Sequence, residues 1–241
     1  GDAVFVRDSG RVALIDVGRD DAALRECLAR LGVDRIDLLV LTHFDIDHVG
    51  AVGVVQGRVD AVLHGPTDGI ADEAILRVLR SAGARLYPAT RGMTGTLGRL
   101  AWTVEWPLAN SSEEPGNPSS VVMRFTPGSS CDATCIDGID LGDLPAEQQA
   151  RLRLLGGAAP ATVVKMSHHG SRDQDADFYR LLHATVGLIG VGADNEYGHP
   201  TDAALDLFAS TGTTVVRSDR NGIALLERDE SGALRVWRER S

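Results

Sequence analysis

The sequence has no apolar run long enough to span a bilayer and no visible signal peptide. It also has no short-period repeat, no low-complexity tract and no coiled-coil heptads, which sets aside solenoid, fibrous and disordered classes. Positive charge is in deficit: 24 Lys and Arg against 34 Asp and Glu give a formal net charge of −10. A broad electrostatic grip on nucleic acid needs clustered Lys and Arg, so that class is disfavoured. An anionic substrate is still admissible wherever bound cations restore positive charge locally. Cysteine is scarce, with three residues. Cys27 falls on the apolar face of a helical pattern. Cys131 and Cys135 lie in a turn-rich segment with too few neighbouring ligands for a zinc site. They form either a local disulfide or a pair of reduced, non-catalytic thiols, and we read them as reduced, with a cytoplasmic setting as the default. The chain starts Gly1-Asp2-Ala3 rather than with Met and runs at once into strand-like Val4–Val6, so we expect an N-terminal piece outside this numbering.

What is present is ordinary for a soluble globular protein: 43% hydrophobic and 24% charged residues. Strands of alternating or continuous apolar character (4–7, 12–16, 36–41, 59–63) interleave with amphipathic helices (20–31, 68–81). A second series follows, with strands at 120–125, 134–141, 161–166 and 186–191, helices from Pro145, Asp175 and Thr201, and closing strands to Trp237. Residues 107–119, rich in Pro, Ser and Asn, read as a loop. We expect one domain over 1–241, with pseudo-halves 1–106 and 120–241 joined by that loop. No oligomeric state follows from the sequence.

Chemistry concentrates in Thr42-His43-Phe44-Asp45-Ile46-Asp47-His48-Val49-Gly50, directly after the apolar strand 36–41. Two imidazoles and two carboxylates within six residues are costly charge density without a cation. The donor set suits zinc, manganese or iron. Three further strands end in His or Asp: Asp143, His168-His169 and His199. Ligands at strand ends spread over more than 150 positions are explained together by one rim-mounted metal site. His64 and His183 read as packing or surface residues. Trp102, Trp106 and Trp237 read as packing rather than a base-stacking platform. Asp16 reads as a brace at the end of its strand.

These residues resemble the metallo-β-lactamase superfamily. Within it they are most similar to the nuclease-type domains of bacterial DNA-uptake (competence) channel proteins. The likeness is carried, in order, by Gly1–Val4, Leu14–Gly18, the HFDIDHVG loop, Asn117–Val122, Gly142-Asp143, Lys165–Ser171, Asn195–Pro200 and Ser218–Gly222. It implies an α/β fold, the four-layer αββα sandwich with mixed sheets, holding one or two divalent metal ions, zinc or manganese. By position, His43 and Asp45 would serve one metal, Asp47 and His48 the other, and Asp143 would bridge. His168 and His199 are taken as the remaining ligands, and His169 as an acid or phosphate contact. Asp45 stands where most members carry His, and Asn117–Ser120 stands where another His is usual. The site is thus richer in oxygen, which favours manganese or magnesium over an all-imidazole zinc site.

The expected reaction is hydrolysis by metal-activated water. Asp47 or Asp143 would orient the water, His169 would protonate the leaving oxygen, and Lys165, Ser171 and Asn195 would bind the substrate. The resemblance points to a phosphodiester (DNA or RNA) as substrate. The net charge keeps a small ester, lactone or amide as the alternative.

Overall fold

The computed structural model describes residues 1–240. Five strands form the first sheet in sequence order: β1 (Val4–Asp8), β2 (Arg11–Ile15), β3 (Ile36–Leu41), β4 (Val59–His64) and β5 (Arg85–Pro88). β1 pairs antiparallel with β2, and the rest are parallel. Seven strands form the second sheet: β6 (Thr94–Leu97), β7 (Leu100–Trp106), β8 (Val122–Pro127), β9 (Gly138–Asp140), β10 (Val163–Lys165), β11 (Val186–Ile189) and β12 (Thr214–Arg217). The β6–β9 portion is antiparallel and β9–β12 is parallel. A separate antiparallel hairpin is made by β13 (Ala224–Arg228) and β14 (Leu234–Arg238).

The two-residue period of the strands builds the layers. In β2 and β3, Val12, Leu14, Leu39 and Leu41 face one way and pack on α1 (Asp21–Leu31) and α4 (Ile70–Ser81). The short α2 (Ile46–Val49) and α3 (Val52–Val55) close the end of this layer. The alternate residues Ala13, Ile15, Leu38 and Val40 face the other sheet, where they meet Val104, Met123 and Phe125. On the far side, Ile139 and Val164 pack under α5 (Ala146–Leu154), α6 (Ala176–Leu182) and α7 (Asp202–Ser210) through Leu152, Phe178 and Phe208. The last helix is the single turn α8 (Ser218–Asn221). The result is the expected αββα sandwich, with three apolar seams between four layers.

Local signals read from the sequence explain the elements. Asp20 caps α1 by accepting from the amides of Ala22 and Ala23 at 2.7 and 2.9 Å. Gly32 ends it in the left-handed conformation at φ 60°. Three expectations need correction. The sheets divide between β5 and β6, not at 107–119, because β6 and β7 join the second sheet. The Pro- and Ser-rich loop only connects the neighbouring strands β7 and β8, so its composition marks loop length rather than a boundary. The strand expected over 134–141 shrinks to Gly138–Asp140. Upstream, the Asp132 side chain captures the Thr134 amide at 2.9 Å and Arg99 pairs with Asp132 at 3.1 Å, which holds a turn. There Cys131 and Cys135 are joined as a disulfide, not as reduced thiols, with their Cα atoms 5.8 Å apart.

Candidate metal centre

The site sits where parallel strands of both sheets end. Asp16 follows β2, Thr42 and His43 follow β3, Gly142-Asp143 follows β9, His168-His169 follows β10 and Gly190 follows β11. The C-terminal edges of parallel strands commonly host sites in α/β folds, and here two sheets contribute edges to one point.

Asp16 organises the first wall. It is buried, with φ at 55°, a strained conformation for a non-glycine residue. Its carboxylate accepts from the Thr42 amide at 2.8 Å and the Thr42 hydroxyl at 2.7 Å, and its Oδ2 lies 2.7 Å from Nδ1 of His48. A carboxylate oxygen accepts, so Nδ1 of His48 carries a proton and Nε2 is the nitrogen left to face the centre. The same logic fixes His43. The Thr42 hydroxyl donates its one proton to Asp16, so Nδ1 of His43, 3.0 Å away, donates to Thr42. Ser120 Oγ lies 3.3 Å from the same nitrogen. Nε2 of His43 is buried, has no hydrogen-bond partner and lies 3.6 Å from Oδ2 of Asp45.

His169 completes the pattern from the other sheet. Its Nδ1 donates to the Gly190 carbonyl at 2.7 Å and lies 3.4 Å from Oδ1 of buried Asp2. Its Nε2 is 3.0 Å from Asp47 Oδ2, 3.3 Å from Asp143 Oδ2 and 3.3 Å from Nε2 of His48. Nε2 of His48 is itself 3.3 Å from Asp143 Oδ2 and 3.8 Å from Asp47 Oδ2. Three imidazoles thus turn Nε2 inward while acceptors hold each Nδ1, the arrangement that orients histidines on a metal. Two Nε2 atoms 3.3 Å apart among carboxylates call for positive charge, supplied by protons in the metal-free centre and by a divalent cation when one is bound.

Asp2, His48, Asp143 and His169 bring ligand atoms within 4.8 Å of one another. Asp2, however, lies on the Nδ1 side of His169 and is ion-paired with Lys165, so it braces the ring rather than ligating. Its two oxygens make ion-pair contacts without well-aligned hydrogen bonds. Asp47, its side chain 35% exposed, is the carboxylate that stands on the Nε2 side, 3.0 Å from His169, and could be the fourth ligand. A Cβ on Gly190 would overlap Oδ1 of Asp2, so glycine is required for this carboxylate to reach the ring.

The electrostatics agree. Burial would lower His48, but Asp16 and Asp143 override it and raise the ring to about 10. Burial would lower His169 as well, but Asp2, Asp143 and Asp47 outweigh it and raise the ring to about 12. Burial would raise Asp143, yet His48 and Lys165 hold it well below the usual carboxylate range. Without a metal, the His48 and His169 rings therefore both hold a second proton on Nε2 at neutral pH, and a divalent cation would displace those protons and take over their role among the carboxylates.

The expected site residues fall at different depths. His169, expected as an acid, has its Nε2 among His48, Asp47 and Asp143. His168, expected as a ligand, is 36% exposed with Nε2 3.9 Å from Asp143 Oδ2. His199 faces His168 at a ring distance of 5.5 Å and stands further from the cluster. Both His168 and His169 have positive φ, 48° and 53°, and this kink turns two successive rings to different sides. Asp45 is close to His43 but its side chain is 63% exposed, at the outer edge. Lys165, the only lysine of the chain, is buried: Asp2 pairs with it, it donates to the Gly142 carbonyl at 2.9 Å and it lies 3.5 Å from Asp143. Its side chain is 2% exposed, enclosed by Asp2, Asp143 and the Gly142 carbonyl. Ser171 is buried, its hydroxyl accepting from the Asp173 amide at 3.3 Å. Asn195 accepts from the amides of Tyr197 and His199 and donates to the His199 carbonyl at 2.6 Å, so it braces its own loop. Asp2 and Ser120 lie in the singled-out segments Gly1–Val4 and Asn117–Val122, but neither stands out there for a role of its own, since neither sits in a ligand-like spacing.

The αββα sandwich with a rim of inward-facing His and Asp defines a metal-dependent hydrolase-type fold. The metallo-beta-lactamase superfamily model matches residues 1–108. The chain is 28% identical over 200 residues to ComE operon protein 3 of Bacillus subtilis (strain 168), covering 81% of this chain and 25% of that protein. It is 27% identical over 231 residues to competence protein ComA of Neisseria gonorrhoeae, covering 92% of this chain and 30% of the relative. The chain therefore spans under a third of the length of these two relatives. Among solved structures, it resembles the metallo-beta-lactamase fold protein YhfI from Bacillus subtilis, with a TM-score of 0.58, 13% identity and coverage of 90% and 87% of the two chains. It also resembles CmlA, a diiron beta-hydroxylase from Streptomyces venezuelae, with a TM-score of 0.61, 17% identity and coverage of 98% and 52%. The superfamily match thus covers the first 108 residues, and the likeness of fold extends over nearly the whole chain. Among the described residues, no helix is long and apolar enough to cross a membrane.

Proposed function

We propose that this chain is a metal-dependent phosphodiesterase of nuclease type. The observation that carries this reading is the convergence of Nε2 of His48 and His169 with Oδ2 of Asp47 and Asp143, beside the unpartnered Nε2 of His43. His48, His169, Asp47 and Asp143 would hold one cation. His43 and Asp45 would serve a second, oxygen-richer position, with manganese or zinc as occupants. When bound, a divalent cation supplies Lewis acidity, which polarises a phosphoryl oxygen and acidifies water.

The protein's own groups do the rest. Asp16 and Asp2 keep the His48 and His169 rings in the productive tautomer. Asp47, on the solvent side of the cluster, is placed to accept a proton from attacking water. His168 and His199, facing each other on the open side, are placed to hydrogen-bond the leaving oxygen. Support for a phosphodiester comes from Asp45 in place of His and from the motifs shared with DNA-uptake nuclease-type domains. One matched relative also carries the name competence protein.

The test is turnover of single- and double-stranded DNA and RNA with manganese or zinc, alongside a lactone and a carboxyl ester. Cleavage of nucleic acid that ends with chelation is the expected result. Turnover of the lactone or ester with no nucleic-acid cleavage would reject the reading in favour of small-substrate hydrolysis.

A further inference from the structure

A continuous series of rings leads from the metal centre to solvent. His43 and His48 have centroids 4.1 Å apart, His48 and His169 5.1 Å, His169 and His168 6.0 Å, His168 and His199 5.5 Å, and His199 and Tyr197 6.3 Å. The inner three belong to the ligand cluster. The outer end, Tyr197, is 84% exposed, and among the described residues its ring stacks on His199 alone. Its ring lies at 30° to that of His199, close to parallel.

This end is braced. Oδ1 of Asn195 accepts from the amides of Tyr197 and His199 at 3.1 and 3.3 Å, and Nδ2 of Asn195 donates to the His199 carbonyl. The loop is tied in turn to the His168-His169 turn. Thr201 donates its amide to the Gly170 carbonyl at 2.8 Å. A Cβ on Gly170 would come within 2.6 Å of Pro200 Cβ, so glycine, at φ 79°, lets the two loops touch. An exposed aromatic fixed beside a reacting centre costs little ordering entropy when a flat partner binds.

We infer that Tyr197 is a specificity-determining residue that stacks a nucleobase of a single-stranded nucleic acid, next to the phosphodiester held at the metal centre. This deepens the nuclease reading and rests on it. The net charge of −10 leaves little backbone electrostatics to hold a strand. Stacking, which every base can supply, then carries a larger share of the binding. An unpaired strand is required, because a base inside a duplex does not offer its face.

The experiment uses short single-stranded DNA carrying 2-aminopurine, and the same strand with abasic positions, on wild type, Tyr197→Ala and Tyr197→Phe. Binding is read by base fluorescence, cleavage separately, and thermal melting confirms the fold of each variant. We expect quenching with wild type, weaker binding by Tyr197→Ala of about five- to a hundredfold, no difference between based and abasic strands in that variant, and recovery in Tyr197→Phe. Tyr197-dependent binding without cleavage would uphold the stacking role while rejecting hydrolysis. Cleavage with equal binding by wild type and Tyr197→Ala would overturn the stacking role and leave the nuclease reading standing. Absence of both quenching and binding by wild type would overturn it as well.

Discussion

Oδ2 of Asp16 lies 2.7 Å from Nδ1 of His48, and the same carboxylate holds the amide and hydroxyl of Thr42, whose oxygen in turn accepts from His43. One buried aspartate therefore sets the tautomer of two histidines on the loop that carries most of the ligands. In Asp16→Asn the amide can donate to Nδ1, which lets His48 turn a proton rather than a lone pair towards the centre. We predict a 10- to 100-fold loss of metal affinity, measured by competition with a chromophoric chelator. Unchanged affinity in a folded variant would show that Asp16 does not set the tautomer.

His168 and His169 are adjacent in sequence but separate in role. His169→Ala should lose metal at the main position, as read by metal analysis after gel filtration. His168→Ala should keep its metal and lose turnover. Retention of metal by His169→Ala together with loss from His168→Ala would invert the assignment made from the Nε2 distances.

Asp47→Ala should abolish metal retention at that position and turnover with it, because Asp47 Oδ2 is 3.0 Å from Nε2 of His169. Its partial exposure means that thermal stability should hold within about 1 kcal/mol. A variant with full activity would overturn the ligand set.

Lys165 distinguishes support from substrate binding. Removing one partner of a buried ion pair leaves an unpaired charge, at a cost of roughly 3–5 kcal/mol. Lys165→Met should therefore lower the denaturation midpoint strongly, since Asp2 and Asp143 both lean on the ammonium. A normal midpoint with a raised KM would instead place Lys165 at the substrate.

Asp140 supplies a pH signature. Burial raises its carboxyl most, Lys165 pulls it down, and Asp2 and Asp16 push it up again, to about 7. The folded state thus binds this proton more tightly than the unfolded chain does. Its contribution to stability is full below the unfolded value near 4, falls as pH rises and is gone above about 7. Wild type should lose on the order of a few kcal/mol more than Asp140→Asn between pH 4.5 and 8.5, measured by urea denaturation. Parallel pH profiles would contradict this.

The layers and the ligand loop were legible in the sequence because both are written locally. The alternation of Ala13, Leu14 and Ile15, and of Leu38, Leu39 and Val40, sorts side chains between two seams. The spacing of His43, Asp45, Asp47 and His48 is a donor set in plain view. What sequence left open depends on backbone direction. The left-handed turn at His168 and His169 decides which ring faces the centre, and no residue type announces it. Asp2 is placed by the chain crossing to Gly190, a contact between residues far apart in sequence. Lys165 looked like a phosphate ligand from its motif, yet the short parallel strand β10 buries it among carboxylates.

The most direct measurement is an anomalous-difference map from crystals grown with manganese or zinc. The account predicts a peak between Nε2 of His48, Nε2 of His169 and the Oδ2 atoms of Asp47 and Asp143, with any second peak beside Nε2 of His43 and Asp45. A peak held by His168 and His199, with none at that cluster, would contradict it.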